Sequence, residues 1–425
     1  AAVAIVPDSR FALSAASKAF FGDPSADLLV VGVTGTKGKT TVCHLLKSVL
    51  DASGERTGLI GTVHNIVGQE KRPVTHTTPE SSDLQSLFRD MLVSGSTAVT
   101  LEVSSHALSL GRVEHIKFDA AVLTNIGRDH LDYHGTLERY MEAKTRLFQS
   151  LGVWGEKSRA YPSVSVLNVD DSAYQYFRGK VHSDLVTYGM STAAEVRCVN
   201  LTPDRVGSRF VLLIGNWKKE VRLRLPGRFN VANALASAAA AYGLGMDKEA
   251  IVYGLETCPP VRGRLEAVPE AKEFSIWIDY AHTPESLRGV LETAKEMTQG
   301  RVIAVFGCGG DRDKGKRPIM GQVAFELCDL TILTNDNPRT EDPETILDDI
   351  EKGFESVPGR HEYLRRTDRR EAINEAVARA RPGDIVVLAG KGHETYQIIG
   401  DRVNHFDDLE EARKAVFTRE GRKVT

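Results

Sequence analysis

The chain has 425 residues, 41% of them apolar, and a formal charge of −3 with acidic and basic residues interspersed. That length exceeds one compact core and predicts two or three domains. No uninterrupted apolar run of about 18 residues marks a membrane span, and the balanced charge gives no overall pull toward nucleic acid or anionic lipid.

The opening AAVAIVPDSR has no basic segment ahead of a long apolar stretch, so it does not read as a secretory signal. It lacks a methionine and reads as a processed or truncated start. The cysteines at 43, 198, 258, 308 and 328 form no Cys-x-x-Cys pair. Their odd number argues for reduced thiols in the cytoplasm rather than a disulfide framework.

From Leu28 short β-branched runs (LLVVGV, TGLIGTV, AVTLEV, FDAAVLTNI, SVSVLNV) alternate with amphipathic stretches, the rhythm of βαβ units around a mostly parallel sheet. In VVGVTGTKGKTT, residues 30–41, a strand breaks into glycines. Beyond Gly38, the residues Val42, Leu45, Leu46, Val49 and Leu50 share one helical face. Backbone N–H groups of Gly35, Thr36, Lys37 and Gly38, at the positive end of that helix, make a phosphate cradle. Lys39 would neutralise the β and γ phosphates, and Thr40 or Thr41 would offer a hydroxyl to Mg²⁺. The strict spacing of such a loop puts a further glycine at 33, where this chain has Val33.

Open α/β sheets collect ligands at strand ends. After one strand TLEVSSHAL places Glu102, Ser104, Ser105 and His106. After the next, TNIGRDHLDYHG places Asn125, Asp129, His130, Asp132 and His134. Oxygen and imidazole ligands could gather there around a hard cation. On pattern alone Lys144, in TLERYMEAKTRLF, reads as a solvated helix lysine, with Glu142 and Arg146 pairing at i, i+4.

Between about 185 and 224 the alternating segments RFVLLIG and KEVRLRL look antiparallel and flank the sheet. A polar stretch then leads to a second strand and helix alternation, FSIWIDY, RVIAVFG, LTILTND and DIVVLAG, with a boundary near 268. The expected architecture is α/β: a central P-loop ATPase-like domain with a mostly parallel sheet, plus a C-terminal Rossmann-like α/β domain.

The ordered set GTKGKTT, TTPES, EVSSHAL, TNIGRDHLDYHG, YMEAK, GRFNVANALA, GRLE, DYAHTPESL, GCGGDRDKGKRP, DNPRTEDP and AGKGHETYQ resembles the Mur ligase family. The resemblance implies ATP-dependent amide formation through an acyl phosphate in peptidoglycan synthesis. The implied substrates are ATP, UDP-N-acetylmuramoyl-L-alanyl-D-glutamate and meso-diaminopimelate. It also implies Mg²⁺ held by Glu102 and His130, with the Thr40 hydroxyl as a further ligand, and a second Mg²⁺ bound with the help of a carbamylated Lys144; Lys39 completes the catalytic group. Asn233, Arg264 and Asp279 would join the loop in binding ATP. Thr77, Thr78, Ser104 and Arg112 would surround the muramoyl peptide, although His76 and Leu110 stand where some relatives carry asparagine and glutamine. Arg312, Asp336, Asn337, Pro338, Arg339, Gly390 and Glu394 would bind the amino acid, Arg339 gripping its distal carboxylate as a fork.

The resemblance divides the chain into residues 1–27, the remnant of an N-terminal UDP-binding domain, 28–267, the ATP-binding domain, and 268–425, the amino-acid domain. The implied partners are small molecules, with no nucleic acid and no membrane, for a cytoplasmic monomer. Two other readings remain at this stage. One is a related ligase with a different acceptor or amino acid, against which DNPR and TTPES argue. The other is a nucleotide-binding homologue without turnover, against which Lys39, Glu102, His130 and Lys144 argue.

Overall fold

A computed structural model of the chain describes residues 5–204, 207–358 and 362–422; residues 1–4 of the expected N-terminal remnant lie outside them. The main chain divides into two units between Pro259 and Pro260.

In the first unit the strands are β1 (Leu29–Thr34), β2 (Thr57–Ile60), β3 (Asn65–Val67), β4 (Glu70–Arg72), β5 (Ala98–Glu102), β6 (Ala120–Leu123), β7 (Val164–Asn168), β8 (Asp184–Gly189), β9 (Val196–Asp204), β10 (Gly207–Ile214) and β11 (Trp217–Leu223). They join in one 11-stranded sheet, ordered β11-β10-β9-β8-β7-β6-β1-β5-β2-β3-β4. From β9 across to β2 every neighbouring pair is parallel. The antiparallel pairs β2–β3, β3–β4 and β10–β11 lie toward the two edges. The alternating segments at 185–224 therefore continue the sheet itself.

Strand β1 is buried at every residue, as a continuous apolar run covered on both faces should be. The helix Lys39–Ala52 follows it. Its Val42, Leu45, Leu46, Val49 and Leu50 have no exposed surface, and each contributes about 1.5–3 kcal/mol by that burial.

The helix Leu137–Gln149 departs from expectation. Thr136 caps it, accepting from the Arg139 N–H at 3.2 Å. Its inward face carries Tyr140, Ala143, Leu147 and Phe148, and Lys144 lies on that face, fully buried rather than solvated. Glu142 accepts from the Tyr176 hydroxyl (2.6 Å) and pairs with Lys180 (3.5 Å), while Arg146 donates to the Leu108 carbonyl (3.3 Å). Tertiary partners thus replace the expected i, i+4 pair.

The second unit contains β12 (Glu266–Ala267), β13 (Ser275–Asp279), β14 (Val302–Phe306), β15 (Leu330–Leu333), β16 (Glu362–Arg365) and β17 (Ile385–Ala389), ordered β12-β13-β17-β14-β15-β16. All neighbours are parallel except β12 and β13. Alternate residues serve opposite faces. Trp277, Ala304, Phe306, Val387 and Ala389 pack into one core with Leu291, Met320 and Leu347 from helices on that side. Ile276, Ile278, Val305, Val386 and Leu388 pack into the other with Ile373, Ala376 and Ala412. The sheet is therefore covered by helices on both faces. A hairpin of β18 (Tyr396–Ile399) and β19 (Arg402–His405) follows. Among the described residues no helix is long and apolar enough to cross a membrane.

Candidate active site

The parallel registers place Glu102, at the end of β5, beside Val33 of β1, and Leu123, at the end of β6, beside Thr34. The phosphate loop, the Glu102 cluster and the 124–127 segment thereby share the carboxyl edge of three adjacent strands, where such sheets bind ligands.

The loop is braced from outside. Asn125 accepts from the Lys37 N–H at 3.0 Å and donates to the Lys37 carbonyl at 3.0 Å, while its own carbonyl accepts from the Thr36 N–H at 2.8 Å. The Thr36 hydroxyl accepts from the Gly127 N–H (2.8 Å) and meets the Tyr140 hydroxyl (3.0 Å). Lys39 folds over the loop, its Nζ donating to the Gly35 and Thr36 carbonyls at 2.9 Å each. Thr41 lies buried in the first helical turn.

Gly38 caps that helix with φ 85°, and a Cβ there would stand 2.4 Å from Asn233 Oδ1. Asn233 comes from the helix Arg228–Gly243 and donates its amide to Asn230 at 3.1 Å. Gly38→Ala should therefore combine left-handed strain with a clash. It should lose about 1–3 kcal/mol of stability in denaturant titration and weaken ADP binding in calorimetry. An unchanged midpoint with unchanged affinity would contradict this packing.

Glu102 is buried at the centre of the next cluster. Its carboxylate accepts from the Thr40 hydroxyl (2.9 Å), the Thr62 N–H (2.8 Å) and the Thr62 hydroxyl (3.1 Å). The Thr62 hydroxyl also meets that of Thr77 at 3.2 Å. Thr78 donates to the Glu102 carbonyl (2.8 Å) and meets Ser104 (3.3 Å), and Arg112 donates to the Thr78 carbonyl (3.0 Å) while pairing with Glu80 (2.6 Å). The structure thus joins Thr40, Glu102, Thr77, Thr78, Ser104 and Arg112 in one hydrogen-bonded chain. Thr62, at the end of TGLIGT, escaped the sequence reading, although its place just after a strand was a usable signal.

Lys144 Nζ donates to the Gly35 carbonyl (2.9 Å) and the Thr34 hydroxyl (3.4 Å), and lies 4.5 Å from the Tyr140 ring centre. Burial, and then the charge of Lys39, push this amine well below the usual lysine range.

The two polar clusters meet through imidazoles. His106 packs against His130 with ring centres 4.7 Å apart, and His134 Nε2 meets the Ser105 hydroxyl at 3.0 Å. Burial first, then the adjoining rings, lower the pKa of His106 and of His134. His130 is exposed, starts the short helix Leu131–His134 with φ 54°, and approaches Asp129 at 3.6 Å.

The cation cage expected from these clusters does not assemble from protein groups alone. Among the described residues no three His, Cys, Asp or Glu side chains are arranged to hold a metal ion; Asn125 instead braces the loop and His134 meets Ser105. Glu102 with the Thr40 hydroxyl nonetheless forms a pair of hard oxygen donors. That suits Mg²⁺, which takes one or two carboxylates and completes its shell from phosphates and water. As an ammonium Lys144 is no ligand; as a carbamate it would be.

In the second unit the candidate residues again follow strand ends. Asp336, Asn337, Pro338 and Arg339 come after β15. Asn337 donates to Glu394 at 3.0 Å and accepts from the Ile398 N–H at 2.9 Å. Gly390, with φ 113°, leaves a Cβ position only 2.9 Å from Asp336 Oδ2. Burial and the charge of Asp336 raise the pKa of Glu394, opposed by Lys391 and Asn337.

Arg339 has φ 53°, an uncommon conformation for a side-chain-bearing residue. It is held there by backbone hydrogen bonds to Ile398 (3.1 Å) and from Gly400 (2.7 Å). Its guanidinium donates to the carbonyls of Gly310 (2.8 Å) and Asn337 (3.4 Å). Arg312, which is exposed, passes with Arg339 beside Gly309. Among the described residues, the buried side-chain oxygens Thr334 Oγ1, Asn335 Oδ1 and Asp336 Oδ1 have no hydrogen-bond partner. Asp279 accepts from the Leu265 N–H at 2.9 Å, and Arg264 lies 5.3 Å from the Tyr280 ring.

Comparison with known proteins identifies the family. The Mur ligase middle domain matches residues 33–241, and the Mur ligase, glutamate ligase domain matches residues 263–392. The chain is 46% identical over 417 residues to the UDP-N-acetylmuramoyl-L-alanyl-D-glutamate–2,6-diaminopimelate ligase of Geobacillus kaustophilus, covering 98% of the chain and 84% of that relative. It is 45% identical over 414 residues to the ligase of the same name from Bacillus velezensis, covering 97% and 83%. A solved structure of a ligase so named matches with a TM-score of 0.71 at 37% identity, covering 98% of this chain and 84% of that one. With relatives of this identity spanning nearly its whole length, the chain belongs to the Mur ligase family.

Proposed function

We propose that the chain is an ATP-dependent ligase joining meso-diaminopimelate to the D-glutamate side-chain carboxylate of UDP-N-acetylmuramoyl-L-alanyl-D-glutamate, a step of peptidoglycan synthesis. The observation that carries this reading is the likeness, over nearly the whole chain, to ligases named for that reaction.

In this reading a carboxylate oxygen of the acceptor attacks the γ-phosphorus of ATP. ADP leaves and an acyl phosphate forms. The amine of the amino acid then attacks the acyl carbon, and the tetrahedral adduct collapses to amide and phosphate, releasing a proton. The first step brings two anions together, so fixed positive groups aimed at the transferring phosphoryl lower its barrier. Lys39 and the N–H groups of Gly35 and Gly38 serve that purpose, while those of Thr36 and Lys37 are taken up by Asn125. Asn233 fixes the loop against Gly38. Thr77, Thr78, Ser104 and Arg112 orient the acceptor, Arg112 contributing a cation for a carboxylate or diphosphate. Arg264 and Asp279 contact the nucleotide. Bound Mg²⁺, held by Glu102, Thr40, His130 and carbamylated Lys144, would supply further charge neutralisation on the phosphates. Arg339 with Arg312 receives the distal carboxylate of the amino acid, and Asp336 and Glu394 receive its ammonium. The reading takes a cytoplasmic monomer as its setting.

Phosphate release tests it. Turnover should require both UDP-muramoyl dipeptide and meso-diaminopimelate, and equal turnover with L-lysine would refute the specificity. Arg339→Lys should raise KM for meso-diaminopimelate roughly ten- to a hundredfold, the equivalent of one charge-assisted hydrogen bond, with kcat little changed, because a point charge cannot reproduce the planar fork. An unaltered KM would remove Arg339 from the site.

A further inference from the structure

Lys391 stands in the segment AGKGHETYQ, two residues after Ala389. It lies just beyond β17 with no exposed surface, and lysine is rarely buried to that degree without partners. Its Nζ stands 3.6 Å from Asp336 Oδ1 and 3.5 Å from Glu394 Oε2, and donates to Asn337 Oδ1 at 3.3 Å. Asn337 in turn donates to the same Glu394 oxygen at 3.0 Å. Lys391, Asn337 and Glu394 thus close a polar ring, and Asp336 joins it through Lys391 alone, its Oδ1 accepting no hydrogen bond among the described residues.

We infer that Lys391 is a positioning residue of the amino-acid site: its ammonium lets Asp336 and Glu394 stay ionised together, so that both can accept from one substrate ammonium. This rests on the amino-acid assignment proposed above. Two buried carboxylates without a cation do not both stay ionised, since like charge and desolvation favour protonating one of them. A protonated carboxyl loses most of its attraction for an ammonium. Other groups facing Glu394 do not replace Lys391. Arg369 is committed to Asp408 at 2.7 Å. Of the phenols, Tyr280 is pushed up to about 12 by burial and Tyr396 is also raised, so both remain neutral near pH 7. Asp336 itself adds to the repulsion.

The test is titration calorimetry of meso-diaminopimelate with the full chain between pH 6 and 8.5, with ADP binding and thermal melting as controls for folding. Lys391→Met should weaken binding at pH 7 by about tenfold or more, corresponding to a pKa displaced by at least about one unit. Affinity should recover as pH rises and Glu394 ionises. Adding Glu394→Gln to that variant should abolish the recovery. Lys391→Arg should keep the wild-type pH profile. Wild-type affinity and profile in Lys391→Met would overturn the inference. Should that variant not fold, Lys391→Arg decides, and an acidic limb moved up by a unit would overturn it. A wild-type chain that binds no meso-diaminopimelate refutes the amino-acid assignment and this inference with it; wild-type binding with an unmoved Lys391→Met profile refutes the inference alone.

Discussion

Lys39→Met should lower kcat by on the order of 10²–10³-fold, the usual cost of removing one preorganised group from a charge-developing transition state, while leaving thermal melting nearly unchanged. Lys39 is half-buried, and its ammonium rests on the Gly35 and Thr36 carbonyls at the mouth of the loop. Methionine matches its length and keeps the stem's apolar contacts without the charge. Phosphoryl transfer onto a carboxylate has no other way to offset two approaching anions than cations and N–H dipoles already in place. The measurement is steady-state phosphate release at saturating substrates. A kcat within about threefold of wild type would mean that Lys39 is only a structural cap on the loop.

Lys144→Ala should also be slow, by on the order of 10²-fold, and partly rescued by formate or acetate. The side chain is fully buried against Gly35, Thr34 and Tyr140. Burial and Lys39 both favour its neutral form, so the free amine that carbamate formation needs is more accessible than in an exposed lysine. Neutral amine adds to CO₂, giving a carbamate and one proton. The product would be an oxygen-donor anion beside Gly35 and Thr34, a ligand of the kind a hard cation takes. Wild-type activity should fall on purging CO₂ and return with bicarbonate. A Lys144→Ala variant with normal turnover, or one indifferent to short carboxylates, would remove the carbamate from the mechanism.

Much of this organisation was legible in local pattern. The strand, glycine turn and helix at 29–52 follow from a β-branched run, two glycines and apolar spacing of three and four, and the buried positions are the ones that spacing selects. Residues after strands, such as Glu102, Ser104, Asp336 and Arg339, were visible because parallel sheets collect function at their carboxyl edge. The environment of Lys144 was not. Flanked by Glu142 and Arg146, it carries every local mark of a solvated lysine, and only packing against residues more than a hundred positions earlier buries it. Asn125 misled for the same reason: its side chain, expected near a cation, closes on the backbone of Lys37. Thr62 could have been found from its place just after a strand, whereas the Lys391 ammonium is uninformative until its carboxylates, Asp336 and Glu394, are in place.

The proposed acyl phosphate makes a prediction that binding data cannot mimic. With both side-chain carboxylate oxygens of the acceptor's D-glutamate labelled as ¹⁸O, one labelled oxygen should leave in each molecule of phosphate released and the other remain in the amide, as mass spectrometry of both products would read. Amide formed alongside wholly unlabelled phosphate would contradict activation of the carboxylate by phosphoryl transfer.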